Sequence, residues 1–296
     1  MKEIEILNKI LPIFQQRPEI STGPGDDCAV IDLDETCLLA AVDQLAEGIH
    51  YYPNIAPERI AAKLLKRNLS DIAAMGGVPT YALLALASNR SDDQWFNKFY
   101  QGLEKEARRW DVSICGGDLS SLPAEGVKDV MSLTILGFCP LGRACLRANA
   151  KPGDLLYATG FFGNSLHSEH HLDFTPRLPE GKFLAKNFSS AMIDVSDGLL
   201  LDASRIAKAS SLALILDLSA IPLRSGADIN SALSDGEDYE LLFTVSPTFS
   251  EVLERNWNFE TKLTRIGQFE SGAGVTSSDG RNLLKGLKTG YEHHNN

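Results

Sequence analysis

The chain has 296 residues, 44% hydrophobic and 23% charged, which is the balance of a folded globular protein with one large or two medium domains. Its formal net charge of −11 and pI near 5.0 exclude a broad nucleic-acid-binding face, which needs clustered Lys and Arg, but admit an anionic ligand bridged by metal cations. Five cysteines (Cys28, Cys37, Cys115, Cys139, Cys145) without a C-x-x-C pair exclude a disulfide framework and a zinc ribbon, and no apolar run of about 18 residues is available to span a membrane.

The opening MKEIEILNKILPIF alternates charged with apolar residues, unlike a signal peptide, so a cytoplasmic location is expected. An amphipathic helix is predicted over 2–16, interrupted near Pro12. Strands follow at 28–33 and 37–43. The clearest helix covers 57–75, with Pro57 at its start and Gly76 and Gly77 at its stop. A strand near 80–87, a helix near 91–110 and strands near 112–115 and 129–139 complete the first half. NAKPGD at 149–154, polar and containing Pro and Gly, is the expected boundary between domains 1–148 and 149–296. Beyond it come a strand at 154–159, a loop rich in Gly, His and Pro, a helix at 197–209 and a strand at 213–217. A short helix at 226–234, a strand at 239–245, a helix at 247–256 and a strand at 263–269 follow. Mixed strands and helices in both halves predict two α/β or α+β domains.

The informative residues are carboxylates. With Ile60 at zero and 100° per residue, Leu64 falls at about 40° and Asp71 at about 20°, inside the apolar stripe of the 57–75 helix. Asp71 also lies in the last turn, where the helix dipole disfavours an anion, so it needs a compensating cation. The alternative is an exposed Asp at a frayed end, or one satisfied by backbone donors. Asp43 ends the apolar run CLLAAVD, Asp118 follows SICGG with its apparent two-glycine turn, and Asp26 and Asp27 follow GPG. Asp194 and Asp197 bracket Ser196 in MIDVSDGLL, a segment that reads equally as a helix N-cap or as a site. Carboxylates at strand ends beside glycine turns point to magnesium, which takes oxygen ligands and is commonly shared with substrate phosphates. Neither a Walker phosphate loop nor a dinucleotide G-x-G-x-x-G between strand and helix is present. A phosphate site would therefore be assembled from metals, glycine-turn amides and an arginine such as Arg147. HSEHH (167–171) reads either as a transition-metal cluster or as a solvated variable loop.

GPGDDCAVI (23–31), VDQLAEGIHY (42–51), NLSDIAAMGGVP (68–79), GGDLSS (116–121), GRACLRANAKPGD (142–154), IDVSDGLLLD (193–202) and DGEDYELLFTV (235–245) recur in the same order in one family. On these segments the chain resembles the thiamine-monophosphate kinases of the aminoimidazole-ribonucleotide synthetase superfamily. The resemblance implies a two-domain fold whose N-terminal domains pair into a dimeric β-barrel, and transfer of phosphate from ATP to thiamine monophosphate. It further implies Asp27, Asp43, Asp71, Asp118, Asp194 and Asp197 as magnesium ligands, and Gly117, Asp118, Arg147 and Ser196 as ATP contacts. His50, Glu237 and Tyr291 would contact the acceptor. Nucleic acid and membrane are not expected as partners, whereas a homodimer is. A relative that phosphorylates another small metabolite and a nucleotide-binding protein without turnover both remain open on the sequence.

Overall fold

The helix predicted over 57–75 organises the structure, a computed structural model that describes residues 6, 9–123, 127–285 and 289–291. This helix, α1 (Pro57–Ala74), begins at Pro57, whose fixed φ suits a first helical position. It stops at Gly76, which turns left-handed at φ 70° to release the chain. Leu64, Leu69 and Ile72 are buried, as an apolar stripe requires, but so are Lys63, Lys66 and Asn68. A helix buried nearly all round lies between two layers rather than on a surface.

The first layer is a six-stranded sheet of β1 (Ile20–Thr22), β2 (Ala29–Asp32), β3 (Thr36–Ala46), β4 (Val78–Ser88), β5 (Ser113–Ser121) and β6 (Val130–Pro140), in the order β1-β2-β3-β6-β4-β5. All pairs are antiparallel except β4–β5, which α2 (Asp93–Arg109) connects. Alternate residues of β4, namely Ala82, Leu84 and Leu86, face inward and are buried. The opposite face carries Val42, Tyr81 and Leu83, which are 62%, 43% and 39% exposed.

The second layer contains β7 (Leu155–Thr159), β8 (Met192–Asp194), β9 (Leu212–Leu216), β10 (Leu241–Val245), β11 (Leu263–Ser271) and β12 (Gly274–Ser277), ordered β12-β9-β11-β7-β10-β8. It is antiparallel except for β12–β9. The helices of this half are α3 (His170–Asp173), α4 (Leu178–Asn187), α5 (Leu199–Ala209), α6 (Ile229–Ser234) and α7 (Ser250–Asn256). β7 and β10 are buried on both faces, which explains why LLYAT and LLFTV are so apolar. Leu155, Tyr157, Leu241 and Phe243 point into the core around α1, while Leu156, Ala158 and Leu242 point into the core beneath α5. The first core therefore draws on both halves of the chain. The division expected at 149–154 lies between β6 and β7, and we propose it as the boundary between two sheet units joined through that shared core.

Several elements depart from expectation. SICGGDLSS does not turn at its glycines but runs as one strand, β5, exposed throughout at the sheet edge. Gly117 is required there because a Cβ would overlap the carbonyl oxygen of Leu84 in β4, so the constraint is close approach and not a turn. The expected long loop between 159 and 197 holds α3, α4 and β8. The expected N-terminal helix falls partly outside the described residues; within them Ile6, Lys9 and Ile10 are helical, and Leu11–Ile13, which contains Pro12, tightens into a 3-10 turn. No helix among the described residues is long and apolar enough to cross a membrane.

α4 docks on α1 through a glycine: a Cβ at Gly181 would overlap the carbonyl oxygen of Ala73. Gly181→Ala should therefore destabilise the protein by about 1–3 kcal/mol through overpacking, despite alanine's better helix propensity. A fall in the midpoint of thermal unfolding checks this, and a rise would mean that the α1–α4 contact is loose.

Candidate active site

The glycine turn before β2 carries two carboxylates into the protein, and one arginine holds both. Arg147 Nη2 donates to Asp27 Oδ1 at 2.6 Å, and Nε reaches Asp27 Oδ2 at 3.4 Å. Its amide donates to Asp26 Oδ2 at 3.0 Å, and Nη1 donates to the Gly25 carbonyl at 3.2 Å. Burial and the charge of Asp27 push the Asp26 carboxyl up to about 7, against the pull of Arg147.

α1 brings Asp71 to the same place, and β8 ends there at Asp194, which accepts a 2.6 Å hydrogen bond from Ser70 Oγ. One carboxylate oxygen each from Asp27, Asp71 and Asp194 lies within 4.8 Å of the other two. Burial, followed by the neighbouring carboxylates, pushes Asp71 and Asp194 well above the ordinary range. Oxygens around octahedral magnesium sit about 3.0 Å apart when cis and about 4.2 Å when trans, so this hard-oxygen set suits such an ion once the carboxylates draw in around it. Among the described residues it is the group of three close enough to share an ion, and the histidines of HSEHH form none. Asp43 borders the triad and its charge adds to the upward push on Asp71. Its amide donates to Asn68 Oδ1 at 3.2 Å, and its carboxylate is paired with Arg67 Nε at 3.2 Å.

Beside the triad lies a pocket lined by residues that include His50, Ser196, Asp197, Glu237 and Tyr291, all five expected at the site. Arg67 and Leu166 also line it and were not identified from sequence. A signal for Arg67 existed, since it lies four residues before Asp71 and so on the same helix face. His50 Nδ1 accepts from the Ala46 amide at 3.0 Å, so the neutral ring carries its proton on Nε2.

Glu237 occupies a left-handed backbone conformation, φ 53°, fixed by a 2.7 Å bond from its amide to the Ser196 carbonyl. Its Oε2 lies 2.9 Å from Lys63 Nζ and 3.2 Å from His171 Nδ1. Burial alone would raise the Glu237 carboxyl, but the His171 hydrogen bond and the Lys63 and Arg67 charges outweigh it and hold it near 2. Lys63 is fully buried and also contacts the His50 carbonyl at 2.8 Å and His171 Nδ1 at 2.9 Å. Burial, partly offset by Glu237, lowers Lys63 to about 8.

Of the two readings left open for this segment, an N-cap by Asp194, Ser196 or Asp197 is not what forms. Gly198 occupies the N-cap of α5, and the buried Asp202, inside the helix, organises the turn. Its Oδ2 accepts from the amides of Ser196, Asp197 and Gly198 at 3.1, 3.0 and 3.3 Å. Arg205 pairs with both Asp202 and Asp197, the latter at 2.7 Å, and the Asp197 carbonyl accepts from the Tyr291 amide at 2.8 Å. HSEHH is solvated only in part: His167, Ser168 and Glu169 are exposed turn residues, but the two histidines that follow are not. His171 is buried against Lys63, and His170 Nε2 contacts the Asp238 carbonyl at 2.9 Å. Arg59 clamps Glu169 at 2.9 Å and Asp173 at 2.7 Å, while Lys66 donates to the Leu172 carbonyl at 2.7 Å.

Asp118 and Gly117 stand apart from the triad. Asp118 is in register with Ala85, an exposed residue of β4 between the inward-facing Leu84 and Leu86, and accepts a 2.8 Å bond from Ser120. It therefore belongs to the outward face of the sheet, whereas α1 and Asp71 pack on the inward face.

The fold and the carboxylate site define an AIR synthase-like protein, and residues 25–139 match the family described as AIR synthase related protein, N-terminal domain. The thiamine-monophosphate kinase of Salmonella typhimurium is 38% identical over 262 residues, 79% of each chain. That of Buchnera aphidicola subsp. Schizaphis graminum is 32% identical over 98% of each. The solved structure of AaThiL complexed with AMPPCP and TMP is 28% identical, superposes with a TM-score of 0.83, and is matched over 99% of this chain and 97% of that one. The chain belongs to the thiamine-monophosphate kinase family.

Crowded, buried carboxylates oppose folding when no cation is bound. Asp71→Asn should therefore stabilise the metal-free protein by about 1–2 kcal/mol, raising its melting point by a few degrees. Added magnesium should raise the melting point of the wild type and leave that of the variant unchanged. A variant that melts lower and still responds fully to magnesium would remove Asp71 from an ion site.

Proposed function

We propose that the chain uses ATP to phosphorylate thiamine monophosphate to thiamine diphosphate. The observation that carries this reading is the juxtaposition of the Asp27–Asp71–Asp194 triad with a pocket lined by His50, Ser196, Glu237 and Tyr291, in a chain 38% identical to a thiamine-monophosphate kinase. A phosphate monoester is largely ionised near neutral pH, so the acceptor oxygen needs no strong general base. It attacks the γ-phosphorus as the bond to the β–γ bridging oxygen breaks, and ADP leaves with that electron pair. Magnesium, held by Asp27, Asp71 and Asp194 with Asp43 and Asp197 nearby, would neutralise the phosphate charge of ATP. The residues do the rest by positioning. Arg147 stays on the glycine turn with Asp27 and faces the nucleotide, and Ser196 is presented by the turn that Asp202 organises. Glu237, held ionised, suits the cationic thiazolium of the acceptor, with His50 and Tyr291 on the same wall.

The active protein is a homodimer in this reading. The outward face of the first sheet bears exposed Val42, Tyr81 and Leu83, and a second copy would cover it. Asp118, on that outward side, and its neighbour Gly117 would then serve an active site that includes the partner. Leu83→Glu should yield a monomer by light scattering and lose at least tenfold in turnover; an unchanged dimer would place the interface elsewhere.

Incubation with ATP, magnesium and thiamine monophosphate, measuring both products, tests the reaction. Equal amounts of ADP and thiamine diphosphate, lost on chelation of the metal, are expected. ADP without thiamine diphosphate would assign the nucleotide site and reject the acceptor.

A further inference from the structure

Arg67 is the permanent positive charge among the described residues that line the pocket, and its surroundings fix it before any ligand arrives. Nε donates to Asp43 Oδ2 at 3.2 Å and Nη1 to the Gln44 carbonyl at 3.0 Å. The remaining terminal nitrogen, Nη2, has no hydrogen-bond partner among the described residues, although the side chain is only 12% exposed. The other charges on that lining are already engaged. Glu237 is paired with Lys63, Asp197 with Arg205, and Asp235 Oδ2 accepts from the Asn164 amide at 3.0 Å. A dianionic group entering the pocket would meet these carboxylates and find its available cation in Arg67.

We propose that Arg67 binds the acceptor's phosphate, making it the residue that selects phosphorylated over unphosphorylated thiamine. The assignment rests on the reading of the acceptor given above. A guanidinium tied at two of its nitrogens keeps its fork oriented and loses little freedom on accepting a phosphate oxygen. Its place on α1 sets the distance to the chemistry. Asp71 follows one helical turn later, an axial rise of about 6 Å, so a phosphate on Arg67 stands next to the ion triad without entering it. The Asp43 partnership also acquires a role, since this carboxylate aims the arginine as well as adding to the field at Asp71.

Calorimetric titration of the full chain with thiamine monophosphate and, separately, with unphosphorylated thiamine tests this. The wild type should bind the phosphorylated compound more tightly. Arg67→Gln should weaken thiamine monophosphate by about 10- to 100-fold, the loss typical of a charge-assisted hydrogen-bond set, and leave thiamine unchanged. Arg67→Lys keeps a charge for Asp43 but lacks the fork. It should still lose about tenfold for thiamine monophosphate alone, and it carries the test if the glutamine variant does not fold. Equal weakening of both compounds, or none, would reduce Arg67 to a structural partner of Asp43 and overturn the inference. A wild type that binds both compounds equally also overturns it, even where the kinase assay succeeds. A wild type that binds neither removes the acceptor assignment, and this inference with it.

Discussion

Three carboxylates whose oxygens lie within 4.8 Å of one another, with further acids at their border, are the constraint on which the rest of the structure depends. Like charges at that separation in a poorly solvated site repel strongly, and the repulsion is relieved by protonation or by a cation. The fold accepts the cost by assembling the cluster from rigid parts. A glycine turn locked by Arg147 supplies Asp27, a helix buried on nearly every side supplies Asp71, and the end of a strand supplies Asp194. None of these carriers can swing its carboxylate away. The pocket alongside follows the same logic, with Lys63 paired with Glu237 and Arg205 with Asp197, while Arg67 is tied to Asp43 at the border of the triad.

Much of this was legible because the decisive signals are local. The phase of Asp71 against Ile60 and Leu64 is a property of one helix, and Pro57 with Gly76 marks its ends. What was not legible depends on atoms distant in sequence. Glycines at 116 and 117 resemble a turn until the backbone of β4 is laid against them. A buried aspartate at 202 took the place of the cap expected among 194, 196 and 197, because a side chain inside a helix can reach back to three amides. His171 looked solvated since its partner, Lys63, is 108 residues away. Arg67 was visible in principle, one turn before Asp71, but nothing in a single helix tells which face of it borders a pocket.

The same dependence on distant atoms explains why Asp118 could be assigned from motif resemblance and yet not be found with the other acids. Within one chain the sheet stands between them. Asp118 sits on the outward row of β5, so sequence order and spatial proximity diverge most at the edge strand.

The burial of α1 in a core shared by both sheets bears on motion. Two-sheet enzymes commonly admit substrates by rotating one domain against the other about a hinge. Here that rotation would have to pull α1 out of contacts with β8 and α4 or with β3, β4 and β6, exposing apolar surface in either case. Access is thus left to smaller parts at the rim, such as the exposed Leu166 turn, whose following residues are tied to α1 by Arg59 and Lys66.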